Sequence, residues 1–141
     1  MQPKDVIPLM IVDDDPDAHF LLSRTLISAG VGNPIISANG GEEAVHHFQN
    51  CLQGKCAWPG IVFLDIKMPG MDGFDVLKWL RTREALGKTV VAMMTTSEEP
   101  RDVSQAFTLG AHTYLNKGIK PEILVPIVHS ALKLMPKSPP A

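Results

Sequence analysis

The chain has 141 residues, 45% hydrophobic and 20% charged, which is the size and balance of one globular domain. Its formal net charge of −2 creates no field that would draw nucleic acid or an anionic membrane, so composition gives no support to direct DNA binding. No apolar run approaches the roughly 20 residues of a membrane span, and the short apolar stretch near the N-terminus ends in Asp13, Asp14 and Asp15 rather than a cleavage site. A cytoplasmic location is therefore expected, with Cys51 and Cys56 reduced.

Taken in chain order, the apolar run 8–13 predicts a first strand. Asp15-Pro16 then reads as N-cap and first helical residue, Ala18, Leu22, Leu26 and Ala29 share a helix face, and Gly30 stands where that helix should stop. Residues 34–38 predict the second strand. Asn39 followed by Glu42 resembles a capping box for a helix carrying Ala44, Val45 and Phe48, and residues 49–59 read as the longest loop. Residues 60–65 predict the third strand, and Asp72 caps a helix that carries Val76, Leu77 and Leu80. Residues 89–95 predict the fourth strand; Ser97 is the candidate cap of a helix with Val103, Ala106 and Phe107 on one face, ended by Gly110. After the fifth strand, 112–116, the last helix carries Leu124, Ile127, Val128, Ala131 and Met135. Pro126 sits inside it, a local conflict worth about 3 kcal/mol or a bend.

Five such units predict an α/β fold with a parallel, doubly wound sheet. One domain spanning 1–135 accounts for them, and the Pro-rich residues 136–141 read as a disordered tail.

In an open parallel sheet, ligands bind beyond the carboxyl ends of the strands. The predicted strand ends there are Asp13, Asp14 and Asp15; Asp65; Thr95, Thr96 and Ser97; and Asn116 with Lys117. Acids, hydroxyls and one ammonium converge on one rim. Two carboxylates about 4 Å apart repel by roughly 4 kcal/mol at an effective dielectric near 20, so a cation between them is expected. All-oxygen ligands suit Mg²⁺ or Mn²⁺. A carboxylate held beside such an ion and a lysine is a nucleophile toward a phosphoryl group, and Thr95 can donate to a phosphoryl oxygen.

The motifs VDDD (12–15), LDIKMPGMDG (64–73), MMTTS (93–97) and LGAHTYLNK (109–117) resemble, in order and spacing, the receiver domain of two-component response regulators. The resemblance implies a flavodoxin-like sheet of order 2-1-3-4-5 and phosphorylation of Asp65 by a histidine kinase or phosphotransfer protein. It further implies direct metal ligation by Asp14, Asp65 and the Lys67 backbone carbonyl, and ligation by Asp13 through water. Thr95 would be the switch hydroxyl, Tyr114 the switch aromatic and Lys117 the phosphate-pairing lysine; the Thr96 backbone would also contact the phosphoryl group. A separate downstream effector protein is expected, with dimerisation through the face of the fourth and fifth helices. The family usually has proline after the lysine. Gly118 stands here, which loosens the turn and implies either a trans bond or a costly cis one.

Two other functions compete. A Mg-dependent phosphatase using an aspartyl-phosphate intermediate would share the nucleophile and the metal, but usually has an acid two residues beyond the nucleophile, where this chain has Lys67. A flavodoxin-like nucleotide or flavin binder would need amides and hydroxyls after the first strand, where three carboxylates stand. His46, His47, Cys51 and Cys56 invite a zinc reading. Adjacent histidines point in different directions on a helix and the spacing fits no standard pattern, so the sequence argues against it. Trp58 and Trp79 read as partly buried anchors, Asp15 as a cap and the Lys67 side chain as solvated.

Overall fold

Every predicted strand lies within one residue of an observed one at each end. The computed structural model describes residues 7–96 and 99–134; the expectations for Ser97, Met135 and the tail at 136–141 lie outside the described residues. Strands β1 (Leu9–Val12), β2 (Ile35–Ala38), β3 (Ile61–Leu64), β4 (Val90–Thr95) and β5 (Thr113–Asn116) alternate with helices α1 (Pro16–Ser28), α2 (Gly41–Leu52), α3 (Gly73–Thr82), α4 (Pro100–Thr108) and α5 (Pro121–Leu134). All strand pairs are parallel and the order is β2-β1-β3-β4-β5, a doubly wound, flavodoxin-like sheet.

The sheet is covered on both faces, which is why β1 and β3 are apolar at every position and buried throughout. On one face Phe48 of α2, Leu77 and Leu80 of α3 and Ala106 of α4 pack on Met10, Val62 and Met93. On the other, Leu26 of α1 and Leu124, Val128 and Ala131 of α5 pack on Ile11, Phe63 and Ala92. The edge strands β2 and β5 are correspondingly less buried.

The helix boundaries show which local signals carried information. Asp15 caps α1 by accepting from the Asp17 amide, and Asp72 caps α3 in a reciprocal box with Asp75. The capping box expected from Asn39 and Glu42 does not form. Gly40 takes the N-cap position of α2, and Glu43 reaches back to the Asn39 amide at 3.3 Å. Helix α4 starts at Pro100 with Glu99 at its N-cap, because proline favours the first helical position. Helix α2 runs on to Leu52, shortening the expected 49–59 loop, because Cys51 continues its buried face beyond Ala44 and Phe48. Phe107, expected to pack inward, is exposed, and Ala106 makes the buried contact of α4. Pro126 lies on the exposed side of α5, where water can satisfy the carbonyl that loses its amide partner.

Gly73 ties the fold to the rim. It opens α3, donates its amide to the Ile66 carbonyl at 2.9 Å, and lies where a β-carbon would run into the Asp65 carbonyl oxygen. Gly73→Ala is therefore expected to cost about 1–3 kcal/mol in urea unfolding, because backbone must move on one side or the other. Gly32→Ala, where a β-carbon meets nothing within 4 Å, should stay within about 0.5 kcal/mol of wild type.

Candidate functional site

The register of β1 against β3 pairs Val12 with Leu64, so the next residue on each strand is an aspartate. The Asp65 amide bonds the Val12 carbonyl at 3.0 Å and the Asp13 amide bonds the Ala38 carbonyl at 3.1 Å, extending the ladder just past the strands. This is the point where the strand order reverses, the crevice in which doubly wound sheets bind ligands. Carboxylate oxygens of Asp13, Asp14 and Asp65 lie within 4.8 Å of one another; Asp13 and Asp65 are buried and Asp14 is exposed.

Lys117 closes the group from the other side. Its amide bonds the Thr95 carbonyl at 3.0 Å, carrying β5 one residue further along β4. Its Nζ then lies 2.7 Å from Asp13 Oδ2 and 3.3 Å from Asp65 Oδ2. The bond to Gly118 is trans, and Gly118 turns the chain with a φ of 87°, a region open to glycine. The missing proline therefore does not release the lysine, which is fixed by its backbone and by two carboxylates. Asp13 is fixed in turn: its Oδ1 accepts from the Asp15 amide at 2.9 Å.

Burial raises the pKa of Asp65, and the Asp13 charge raises it further; the Lys117 charge works in the opposite sense. For Lys117, burial alone would lower the pKa, but its bonds and charge interactions with Asp13 and Asp65 outweigh that and raise it. Three carboxylates face one ammonium, and every acidic donor is a hard oxygen. That donor set fits a divalent cation of the Mg²⁺ type.

Thr95 ends β4 fully buried, on the sheet face that carries Met93. Tyr114, paired with Met93 across the β4–β5 ladder, packs half-buried on that same face. Lys67 is exposed, as expected for a solvated side chain. A cavity of about 280 Å³ runs from the rim between α1 and the β5–α5 turn, lined by Asp13, Asp65, Thr96 and Lys117 and by Leu21 and Leu22 of α1.

Sequence reasoning missed one feature and set another aside. His19 of α1 is buried, and its Nε2 donates to the Asp13 carbonyl at 2.7 Å, pinning the end of β1. Its spacing of three from Leu22 and seven from Leu26 was the available signal. The second feature is at the end of α2, where His47, Cys51 and Cys56 bring ligand atoms within 4.8 Å of one another. Three of the four residues set aside as a zinc group thus meet, and the exposed His46 is the one left out. Burial, then the neighbouring Cys56, pushes the Cys51 thiol up to about 12. Trp58 and Trp79 do act as anchors, stacking on Phe48 at ring-centroid distances of 5.7 and 6.2 Å.

The family model described as the response regulator receiver domain matches residues 9–129. The chain belongs to that family. Such domains are phosphoacceptors of two-component signalling rather than enzymes in the ordinary sense. It is similar to the regulatory protein AtoC of Escherichia coli, 33% identical over 126 residues, covering 89% of this chain and 25% of that protein. The nitrate/nitrite response regulator NarL of Escherichia coli is 28% identical over 131 residues, 93% of this chain and 57% of that protein. The chain thus spans only part of the curated relatives it matches. Among solved structures, the chemotaxis protein CheY4 of Vibrio cholerae superposes with a TM-score of 0.74 at 27% identity, covering 89% of this chain and 98% of that one. Among the described residues, no helix of this receiver domain is long and apolar enough to cross a membrane.

The raised pKa of Asp65 fixes the sign of a pH effect. The folded protein holds that proton more tightly than the unfolded chain does. Stability from this group is therefore greatest below the ordinary carboxylate pKa of 3.8 and falls as pH rises through the elevated value. At neutral pH the ionised Asp65 is a cost, so Asp65→Asn should raise stability in metal-free buffer. Urea midpoints at neutral and mildly acidic pH check this: the gain should shrink on acidification.

Proposed function

We propose that this receiver domain takes a phosphoryl group on Asp65 from the phosphohistidine of a partner histidine kinase or phosphotransfer protein, in a Mg²⁺-dependent reaction. The observation that carries the reading is Lys117 Nζ bridging Asp13 and Asp65 at the strand-order reversal, with Asp14 beside them. Asp14, Asp65 and the Lys67 carbonyl would hold Mg²⁺, or Mn²⁺, with Asp13 behind them. The ion supplies charge neutralisation for the incoming phosphoryl oxygens.

A carboxylate oxygen of Asp65 attacks phosphorus. A P–O bond forms, the P–N bond breaks, and the imidazole leaves with its electron pair. Lys117, already shared between two carboxylates, moves its charge toward the new phosphoryl oxygens. That group adds roughly −1.5 to −2 charges. Thr95 donates to a phosphoryl oxygen, the Thr96 backbone contacts the group, and Tyr114, on the same sheet face as Thr95, turns inward. The surface over α4, β5 and α5 is thereby remodelled for a separate downstream effector. Phe107 on α4 and Ile123 on α5, both exposed, support this face as a protein-binding or homodimer surface. Leu21 of α1 lines the rim cavity, and it and the adjacent Phe20, each 61% exposed, suit a donor that must bring its histidine to Asp65. The −2 charge supports a protein partner over nucleic acid or a membrane surface, and a cytoplasmic setting goes with it. The domain is read as spanning 1–135, with 136–141 as its tail. The phosphatase alternative is disfavoured by the exposed lysine at position 67, where a general acid would be needed.

Incubation with acetyl phosphate and Mg²⁺ should add one phosphoryl group by mass spectrometry, mapped to Asp65. Chelation of the metal or Asp65→Asn should abolish it, and Lys117→Met should slow it by roughly ten-fold or more. Steady turnover of a simple phosphate ester without protein labelling would favour the phosphatase instead. Saturating Mg²⁺ should also raise the melting temperature of wild type, by an increment worth about 2.7 kcal/mol at one hundred times its dissociation constant. Asp14→Asn should lose most of that increment.

A further inference from the structure

We propose that His47, Cys51 and Cys56 form a binding site for a thiophilic d¹⁰ cation, Zn²⁺ before Cu⁺, separate from the acidic rim. His47 and Cys51 are four residues apart on α2 and so project from one face a turn apart. Cys56 returns to them by a specified chain reversal. Gly54 takes a φ of 76° just past the helix, its amide bonds the Cys51 carbonyl at 3.0 Å, and the Lys55 amide bonds the Asn50 carbonyl at 2.9 Å. These two bonds and the left-handed glycine make a Schellman motif, which folds the next residues back over the last turn.

The result is a triangle of soft donors. Sγ of Cys51 lies 3.5 Å from Sγ of Cys56, and Sγ of Cys56 lies 3.9 Å from Nε2 of His47. With zinc–sulfur bonds near 2.3 Å and zinc–nitrogen bonds near 2.0 Å, the edges of a tetrahedron about zinc measure about 3.8 Å for S···S and about 3.5 Å for S···N. Two of the three edges therefore lie within a few tenths of an ångström of those of a ligand set, and the third, between Cys51 and His47, is within 4.8 Å. Cys51 is buried, whereas His47 and Cys56 are half-exposed, so a cation can enter and a fourth position stays open on the solvent side. The last turn of α2 carries no basic side chain, and the negative end of a helix favours a cation there. A disulfide between the two cysteines uses only two of the three donors, and the imidazole of His47 at the same point favours a metal.

The site sits at the C-terminal end of α2. In a parallel sheet with returning helices this is the edge opposite the carboxylate rim. Bound zinc would staple the α2–β3 connection to the helix.

The test is a titration of the full chain, reduced and under excess Mg²⁺ to occupy the rim, with Co²⁺ as probe. One equivalent should produce thiolate-to-cobalt charge-transfer absorption, and Zn²⁺ should erase it. Cys56→Ser and His47→Gln, both at half-exposed positions and checked for wild-type circular dichroism, should each weaken binding roughly ten-fold or more. Thermal melting gives a second readout: Zn²⁺ should raise the melting temperature of wild type and of Asp65→Asn by the same increment, and that of either ligand variant by less. No thiolate absorption from reduced protein would overturn the proposal. So would an undiminished band in both variants, or loss of two hydrogens in air with no metal uptake by the reduced form. Retention of Cu⁺ against a competing chelator, with Zn²⁺ unable to displace cobalt, would overturn the assignment to zinc.

Discussion

The structure depends on a constraint that would ordinarily be unfavourable: two carboxylates, Asp13 and Asp65, held side by side and buried. The β1–β3 register dictates it, since pairing Val12 with Leu64 leaves no other place for the residues that follow. Lys117 makes the arrangement tolerable. Its nearer partner is Asp13, at 2.7 Å, and not Asp65, at 3.3 Å. The two acids are thus unequal. Asp13 is held by Lys117 and by the Asp15 amide, while Asp65 carries an elevated pKa from burial and from Asp13. The carboxylate less committed to the existing contacts is the one read as the nucleophile. The same asymmetry makes a cation welcome at the rim, because one lysine leaves a surplus of negative charge.

The surrounding loops keep that geometry short and stiff. Gly73 lets α3 begin against the Asp65 carbonyl, and the Asp72–Asp75 box fixes the direction in which α3 leaves. His19 holds the Asp13 carbonyl from the α1 side. Gly118 sends the chain away from Lys117 immediately after the β4–β5 ladder ends. Each of these acts on backbone rather than on a carboxylate. The rim can therefore accept added charge by moving side chains while the strand ends stay in place.

Much of this was legible in the sequence because it obeys short-range rules. Apolar runs ending in Asp13, Asp65, Thr95 and Asn116-Lys117 mark strand ends, and parallel topology brings strand ends together. The caps at Asp15 and Asp72 were readable for the same reason. What escaped depended on tertiary context or on a turn. Asn39 loses the α2 cap to Gly40 because the approach from β2 fixes where the helix starts. Phe107 turns outward because the small Ala106 is what the α3–α4 packing accepts. His19 carries no signal in the sequence of the carbonyl it meets, and its burial reflects that carbonyl at the end of another element. His47 and Cys56 are nine positions apart, a spacing that means little until Gly54 reverses the chain.

The two donor clusters show how one fold separates unlike chemistries. At the carboxyl ends of the strands, β1, β3, β4 and β5 all contribute groups, so the rim assembles carboxylates, a hydroxyl and an ammonium from distant parts of the sequence. The opposite edge has a different resource. Helix C-termini arrive there with a negative pole and a tight reversal, so a local segment can bring its own donors together without help from the sheet. Hard carboxylates select an ion that keeps its water and tolerates exchange with a phosphoryl group. Soft sulfur and imidazole select one that is held by the protein. Because the clusters share no residue and lie on opposite edges, occupation of one need not compete with the other. Coupling between them has two direct routes: α2, whose buried face shares a core with β1 and β3, and β3 itself, which runs from the connection carrying Cys56 to Asp65.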